Sequence, residues 1–304
     1  MSFKLFIYYC AVCGGWAAFL AWGLQDLLHF QKKFENDKVF QTMSISSLVG
    51  LVLASAVGTL DALANSIRSE RWMRILVCLA VGFLGGGLGG CLGQLLQNLG
   101  LPRFIGWIMV GTVIGASIGV FDFFQAFARH QSLRPAARKL INGLIGGAIG
   151  GGLGGLFFDA LEFLVHSRRS SLAAGFVILG ISIGLWIGLA QIILKEAWIR
   201  VEKGFRPGKE VMLAKAETTI GRAESCDIGL FADPTIERIH ARILFQDNQY
   251  LVVNNGNAAT FLNEQAVTKP SRLVSGDRIR IGESLLYFGE RHKRSVMRTQ
   301  KSEF

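Results

Sequence analysis

Residues 75–96 read ILVCLAVGFLGGGLGGCLGQLL, a run of 22 with no charged side chain. About 20 consecutive apolar residues cross the hydrocarbon core of a bilayer as a helix, so this stretch reads as a transmembrane helix. Five more stretches share the pattern: 5–24, 47–64, 104–121, 140–163 and 172–194. Together they predict an α-helical membrane bundle of about six spanning helices within residues 1–196. Lys4 gives the first stretch the basic start of a signal peptide. No small-x-small cleavage site follows and the apolar run is long, so it reads as a retained helix.

Composition agrees. The chain is 51% hydrophobic and 18% charged, with 37 Gly and 5 Pro. Residues 1–194 hold 14 Lys/Arg and 8 Asp/Glu, leaving 18 of the 32 basic and 14 of the 22 acidic residues for 195–304. The net charge of +10 is no nucleic-acid signature. Arg68, Arg71 and Arg74, then Arg129, Arg134, Arg138 and Lys139, sit in two short loops opposed only by Glu70. That is how basic residues distribute in cytoplasmic loops. The expectation is a multi-pass cell-membrane protein with both termini cytoplasmic, the lipid bilayer as partner and no nucleic acid. Loops 25–46, 97–103 and 164–171 then lie outside, and 27–40 is a candidate amphipathic helix on the membrane surface.

An internal repeat runs through the apolar part. VGLVLASAVGTLD (49–61) recurs as VGTVIGASIGVFD (110–122), 61 residues on, and Arg68 recurs as Arg129 at the same offset. GGGLGG (85–90) recurs at 150–155, and GISIG (180–184) echoes GASIG (115–119). The unit is a two-helix hairpin, about 47–99 and 104–164, with a partial third copy. Gly82, Gly86 and Gly90, like Gly146, Gly150 and Gly154, fall on one helical face. Such small-residue faces let helices approach closely in lipid, and they make a homo-oligomer a candidate.

Acidic side chains within or beside spans are costly and mark functional candidates. Here they are Asp61, Asp122, Asp159 and Glu162. Asp159 and Glu162, one turn apart, have the spacing to bind a cation or relay protons; interfacial placement, with the carboxylates in headgroup water, is the favoured alternative. Asp61 and Asp122, near the inner interface, are placed to pair with loop arginines. Cys10-x-x-Cys13 lies inside an apolar helix with no strand before it, so it reads as two small apolar residues rather than a redox pair. No nucleophile–base pair, metal-ligand cluster or nucleotide loop stands out. The chain is read as no enzyme, with no metal and no cofactor.

After residue 194 the pattern changes. Residues 197–209 read as a charged linker ending in Arg206-Pro207-Gly208. Short β-type runs follow at 211–214, 218–221, 240–245, 250–253, 278–281 and 285–288. Many short strands within ninety residues predict an all-β sandwich at 210–290, and a basic tail closes the chain at 291–304.

Five motifs carry a resemblance. They are Thr219-Ile220-Gly221-Arg222; Cys226-Asp227-Ile228; Arg238-Ile239-His240-Ala241-Arg242-Ile243; Thr260-Phe261-Leu262-Asn263; and Leu273 with Gly276-Asp277, Ile279 and Ile281-Gly282. In this order the segment resembles a forkhead-associated (FHA) domain. The resemblance implies a sandwich whose loops at one end bind phosphothreonine peptides. It places Arg222 on the phosphate and Gly221 and His240 as organisers of the loops. Glu237, Arg238, Thr260 and Asn263 complete the implied partner surface.

Two positions depart from the family pattern. Glu237 stands where the family has a phosphate-contacting serine, and Ala258-Ala259 replaces the Asn-Gly before Thr260. Two readings follow. In the first, Glu237 pairs with Arg222 and fills the phosphate site from within, so that the domain takes an unphosphorylated partner or a second copy of itself. In the second, Glu237 is solvated and the site is a decayed copy. The whole chain then reads as a membrane adaptor. Its FHA-like domain recruits a cytoplasmic protein or phosphoprotein, with a Ser/Thr kinase or its substrate as the candidate partner. A channel or transporter gated by that domain is the alternative.

Overall fold

A computed structural model describes residues 2–28, 37–65, 70–164, 168–231 and 233–291. Most of the candidate amphipathic stretch at 27–40, Arg68 of the repeat and the basic tail beyond residue 291 fall outside the described residues.

Among the described residues six helices come first: α1 (Phe3–Leu27), α2 (Lys38–Asn65), α3 (Arg71–Asn98), α4 (Phe104–Ala128), α5 (Arg134–Leu164) and α6 (Arg168–Ile193). Each is long and apolar enough to cross a membrane. Small and aliphatic side chains of α1, α2, α4 and α6 form the core, among them Ala18, Leu53, Ile114, Leu179 and Ile183. α3 contributes mainly glycine to its buried face, including Gly82, Gly86 and Gly90. A Cβ on Gly50 would strike the Gly82 carbonyl, and one on Gly111 would strike the Gly147 carbonyl. These are the same two contacts, 61 and 65 residues apart, so the repeated motif is a repeated helix crossing. α6 finds its glycine partner in α1, where Gly14 and Gly180 meet backbone to backbone.

Among its described residues the C-terminal unit has eleven strands: β1 (Ala197–Lys203), β2 (Glu210–Met212), β3 (Glu217–Gly221), β4 (Ile228–Gly229), β5 (Ala241–Gln246), β6 (Gln249–Asn254), β7 (Thr260–Leu262), β8 (Gln265–Ala266), β9 (Ser271–Arg272), β10 (Arg278–Ile281) and β11 (Ser284–Glu290). One sheet has the order β2-β1-β11-β10-β7-β8 and the other β4-β3-β5-β6-β9. Their inner faces enclose Ile199, Ile220, Ile243, Val252, Ile279, Leu286 and Phe288. The expected sandwich is therefore present, but the expected linker at 197–209 is not. Ala197–Lys203 is the strand that pairs β11 on one side and β2 on the other. Ala197, Ile199 and Val201 alternate into the core while charged residues point out, and this alternation decides the conformation despite the local charge.

With β1 starting four residues after α6 ends, the sandwich sits directly on the bundle. Lys215 reaches Glu70 at 3.2 Å, Arg134 Nη1 donates to Asn248 Oδ1 at 3.1 Å, and Arg138 pairs with Glu196. The Phe3 N–H donates to Glu210, and the Lys195 ammonium lies over the rings of Phe3 and Trp198.

Candidate functional site

Three connections meet at one end of the sandwich: 222–227, 230–240 and 255–259. Gly221, at the end of β3, lets the first two touch. The Arg222 N–H donates to the Glu237 carbonyl at 2.9 Å and the Ala223 N–H to the Arg238 carbonyl at 3.0 Å. A Cβ on Gly221 would strike that Arg238 carbonyl. His240 joins the second connection to the third. It is 1% exposed; its Nδ1 accepts the Glu237 N–H at 3.3 Å. That assignment leaves Nε2 protonated, 3.4 Å from the Ala259 carbonyl oxygen.

Glu237 is not where the pairing hypothesis puts it. Its Oε1 accepts the N–H groups of Asn257 at 2.7 Å and Ala258 at 2.8 Å. Its carboxylate covers Gly256, where a Cβ would collide with it. Two successive backbone N–H groups form a concave anion seat, and this seat lies across the loop end on the third connection. The expected Glu237–Arg222 ion pair is therefore absent. The Arg222 side chain is exposed and makes no hydrogen bond or ion pair among the described residues. Arg238 is exposed beside the same backbone crossing.

Two other expected contact residues are structural. Thr260 is fully buried, and its hydroxyl donates to Asn254 Oδ1 at 2.8 Å, so it steadies the start of β7 and offers nothing to a partner. Asn263 sits in the β7–β8 turn at φ +48°. It donates to Asp277 at 2.8 Å and accepts the Arg278 N–H at 2.9 Å, which ties that turn to β10.

The second constellation lies in the bundle, where α2 to α5 bring four charges together. Arg74 donates through both terminal nitrogens to Asp122. Lys139 donates to Asp61 at 2.6 Å and to Asp122 at 2.9 Å, and Arg74 lies 3.8 Å from Asp61. All four residues are 2–4% exposed. The sequence placed the two aspartates to pair with loop arginines; here Arg74 meets Asp122, while the ammonium that bridges both aspartates comes from Lys139, a residue that positive-inside counting put among the loop charges. From Arg74 the charges continue outward. Glu70 lies 3.9 Å away, Lys215 bridges Glu70 and Asp227, and Asp227 accepts the backbone N–H and hydroxyl of Thr219 on β3. Burial raises the Glu70 carboxyl, but the Gln125 hydrogen bond and the Lys215 charge bring it below its ordinary value.

At the far end of the bundle Arg103 holds Asp159 at 2.6 Å and also pairs with Glu162. Those two carboxylates therefore share a guanidinium. Among the described residues no three His, Cys, Asp or Glu side chains gather as a metal site.

Residues 218–282 match the family model of the FHA domain, and the C-terminal unit is an FHA domain. Glycogen accumulation regulator GarA of Mycobacterium tuberculosis is 33% identical over 94 residues, covering 31% of this chain and 57% of GarA. An oxoglutarate dehydrogenase inhibitor of Corynebacterium diphtheriae is 35% identical over 91 residues, 30% of this chain and 62% of its own length. The chain thus spans less than two thirds of either relative. Among solved structures, the N-terminal FHA domain of Rad53p from S. cerevisiae with a phosphothreonine peptide is 22% identical. It covers 32% of this chain and 94% of that one, with a TM-score of 0.29. The FhaA FHA domain, complexed with the intracellular domain of Rv3910, is 25% identical. It covers 30% of this chain and 98% of that one, with a TM-score of 0.28.

Proposed function

We propose that this chain is a multi-pass membrane adaptor that carries its FHA domain on the cytoplasmic face of its own bundle and takes a phosphothreonine-bearing protein through Arg222. The single observation behind this reading is the separation of Arg222 from Glu237. The carboxylate that would compete for the guanidinium is bound by two backbone N–H groups. Arg222 is left exposed, free to make the bidentate, charge-assisted bonds that phosphate favours. The names of the two relatives, a regulator and an inhibitor, support a binding role rather than a catalytic one. A Ser/Thr kinase or its substrate is the class of partner this reading calls for.

Membrane insertion is supported by the six long apolar helices and by leucines that α3 turns outward, Leu76, Leu84, Leu88 and Leu92, each 46–66% exposed. Water gives such a row no partner, whereas lipid does. The channel or transporter reading ranks second, because its candidate ion-handling groups Asp159 and Glu162 are both held by Arg103.

The test is binding of full-length protein to phosphothreonine peptide libraries and their unphosphorylated counterparts, with Arg222→Ala beside wild type. Phosphate-dependent binding that disappears in the variant supports the reading. Binding indifferent to phosphate or to Arg222 refutes it.

A further inference from the structure

A cavity of about 300 Å³ opens at the end of the bundle remote from the FHA domain. It lies between the start of α2, the last turns of α3 and the start of α4. Gly90, Gly93 and Gly106 line it and supply no side chain to fill it. Gly93 and Gly106 bring the backbones of α3 and α4 together, since a Cβ on Gly93 would lie 2.6 Å from the Gly106 Cα.

The remaining lining is rich in hydrogen-bond donors. Lys38 and Arg103 bring cationic groups; Ser46 and Gln97 bring a hydroxyl and an amide. The Trp107 ring completes the wall. Gln94 is occupied internally: it accepts the Thr42 hydroxyl at 2.9 Å and donates to Asn98 at 3.1 Å. Arg103 spends Nε and Nη2 on Asp159 and Glu162. Its Nη1 has no partner among the described residues, and neither carboxylate lines the cavity. Ligand pockets begin at roughly 300 Å³, so the space admits a small organic molecule. Two carboxylates already neutralise Arg103, so Lys38 is the cation left to a ligand; with Arg103 Nη1, Ser46 and Gln97 beside it as donors, the lining selects a ligand with several acceptor oxygens.

We propose that this cavity binds a phosphate-bearing group. Phosphate matches the lining better than a carboxylate, since its three or more oxygens accept from ammonium, guanidinium and amide at once. The group comes from one of two sources: the headgroup of an anionic phospholipid, or a soluble phosphate ester. The inference does not depend on the phosphothreonine reading, because the cavity is at the other end of the molecule.

The experiment uses the full chain in dodecyl maltoside, which contains no phosphate. One arm titrates sn-glycerol 3-phosphate by calorimetry. The other incubates the protein with phosphatidylglycerol and counts retained lipid by native mass spectrometry. Both are repeated with Lys38→Gln/Gln97→Ala, which alters two exposed rim residues and leaves the Arg103 ion pairs intact. The wild type binds one equivalent in at least one arm, and the double variant binds roughly tenfold or more weakly, as loss of bonds to a charged ligand requires. Binding in the calorimetric arm assigns a soluble ester, and retention in the lipid arm alone assigns the headgroup. No binding in either arm by folded wild type, as for a cavity that holds only water, overturns the proposal. Equal binding by the double variant overturns it as well.

Discussion

Replacing Asp122 with asparagine keeps the size of the side chain and removes one negative charge from the bundle. In the native protein Asp61 and Asp122 balance Arg74 and Lys139, all four being 2–4% exposed. After Asp122→Asn the group carries one uncompensated positive charge. Removing one partner from a buried ion pair costs about 3–5 kcal/mol. Asp61 still reaches Lys139 at 2.6 Å and Glu70 lies 3.9 Å from Arg74, which favours the lower end, about 3 kcal/mol. A second change, Lys139→Met, should reverse part of this loss by restoring neutrality, with a favourable coupling of about 2 kcal/mol. The assay is equilibrium unfolding of the full chain in mixed maltoside and dodecyl sulfate micelles, followed by circular dichroism. Asp122→Asn within about 1 kcal/mol of wild type would refute the reasoning. So would a double variant whose loss equals the sum of the two single losses.

Three further outcomes are expected. Gly147→Val drives a branched side chain into the Gly111 carbonyl, so it should lower stability in the same assay by roughly 1–3 kcal/mol; a neutral effect would mean that α4 and α5 separate freely. Glu237→Ala strips the acceptor from the Asn257 and Ala258 amides, and their hydrogen exchange should speed up while the amides of β10 stay protected; unchanged exchange would show that the loop holds itself. Burial, opposed by Glu210, lowers Lys195 to about 8 from 10.5. A lysine depressed on folding disfavours its charged form, so its contribution to stability should rise as pH increases from about 8 to 10.5. Lys195 should accordingly outreact the exposed lysines with acetic anhydride at pH 8. Modification no faster than at Lys269 would contradict this.

Much of the architecture is legible in the sequence because it rests on local periodicity. An uncharged run of 22 residues has few folded alternatives to a long apolar helix, and the alternating strands from 211 onward required only the period of two. Strand β1 was hidden because Lys195, Glu196, Arg200, Glu202 and Lys203 give the charge of a linker, while only three small or branched positions face the core. The site was less legible because its contacts are long-range. The partner of Glu237 lies twenty residues on, in backbone N–H groups that any residue would supply. Family likeness places Thr260 at the loop end, but only the fold shows that its hydroxyl turns inward to Asn254. Asp61 and Asp122 were visible as a repeat, whereas Lys139 became their partner only when α5 packed beside α4.

The most direct measurement of the central claim is the affinity of the full-length protein for the best phosphothreonine peptide from a library, compared with its Arg222→Ala variant. The account predicts binding that needs the phosphate and weakens roughly tenfold or more in the variant, as loss of hydrogen bonds to a charged group implies. Binding that persists without phosphate, or survives intact without Arg222, would contradict it and move the partner surface elsewhere on the domain.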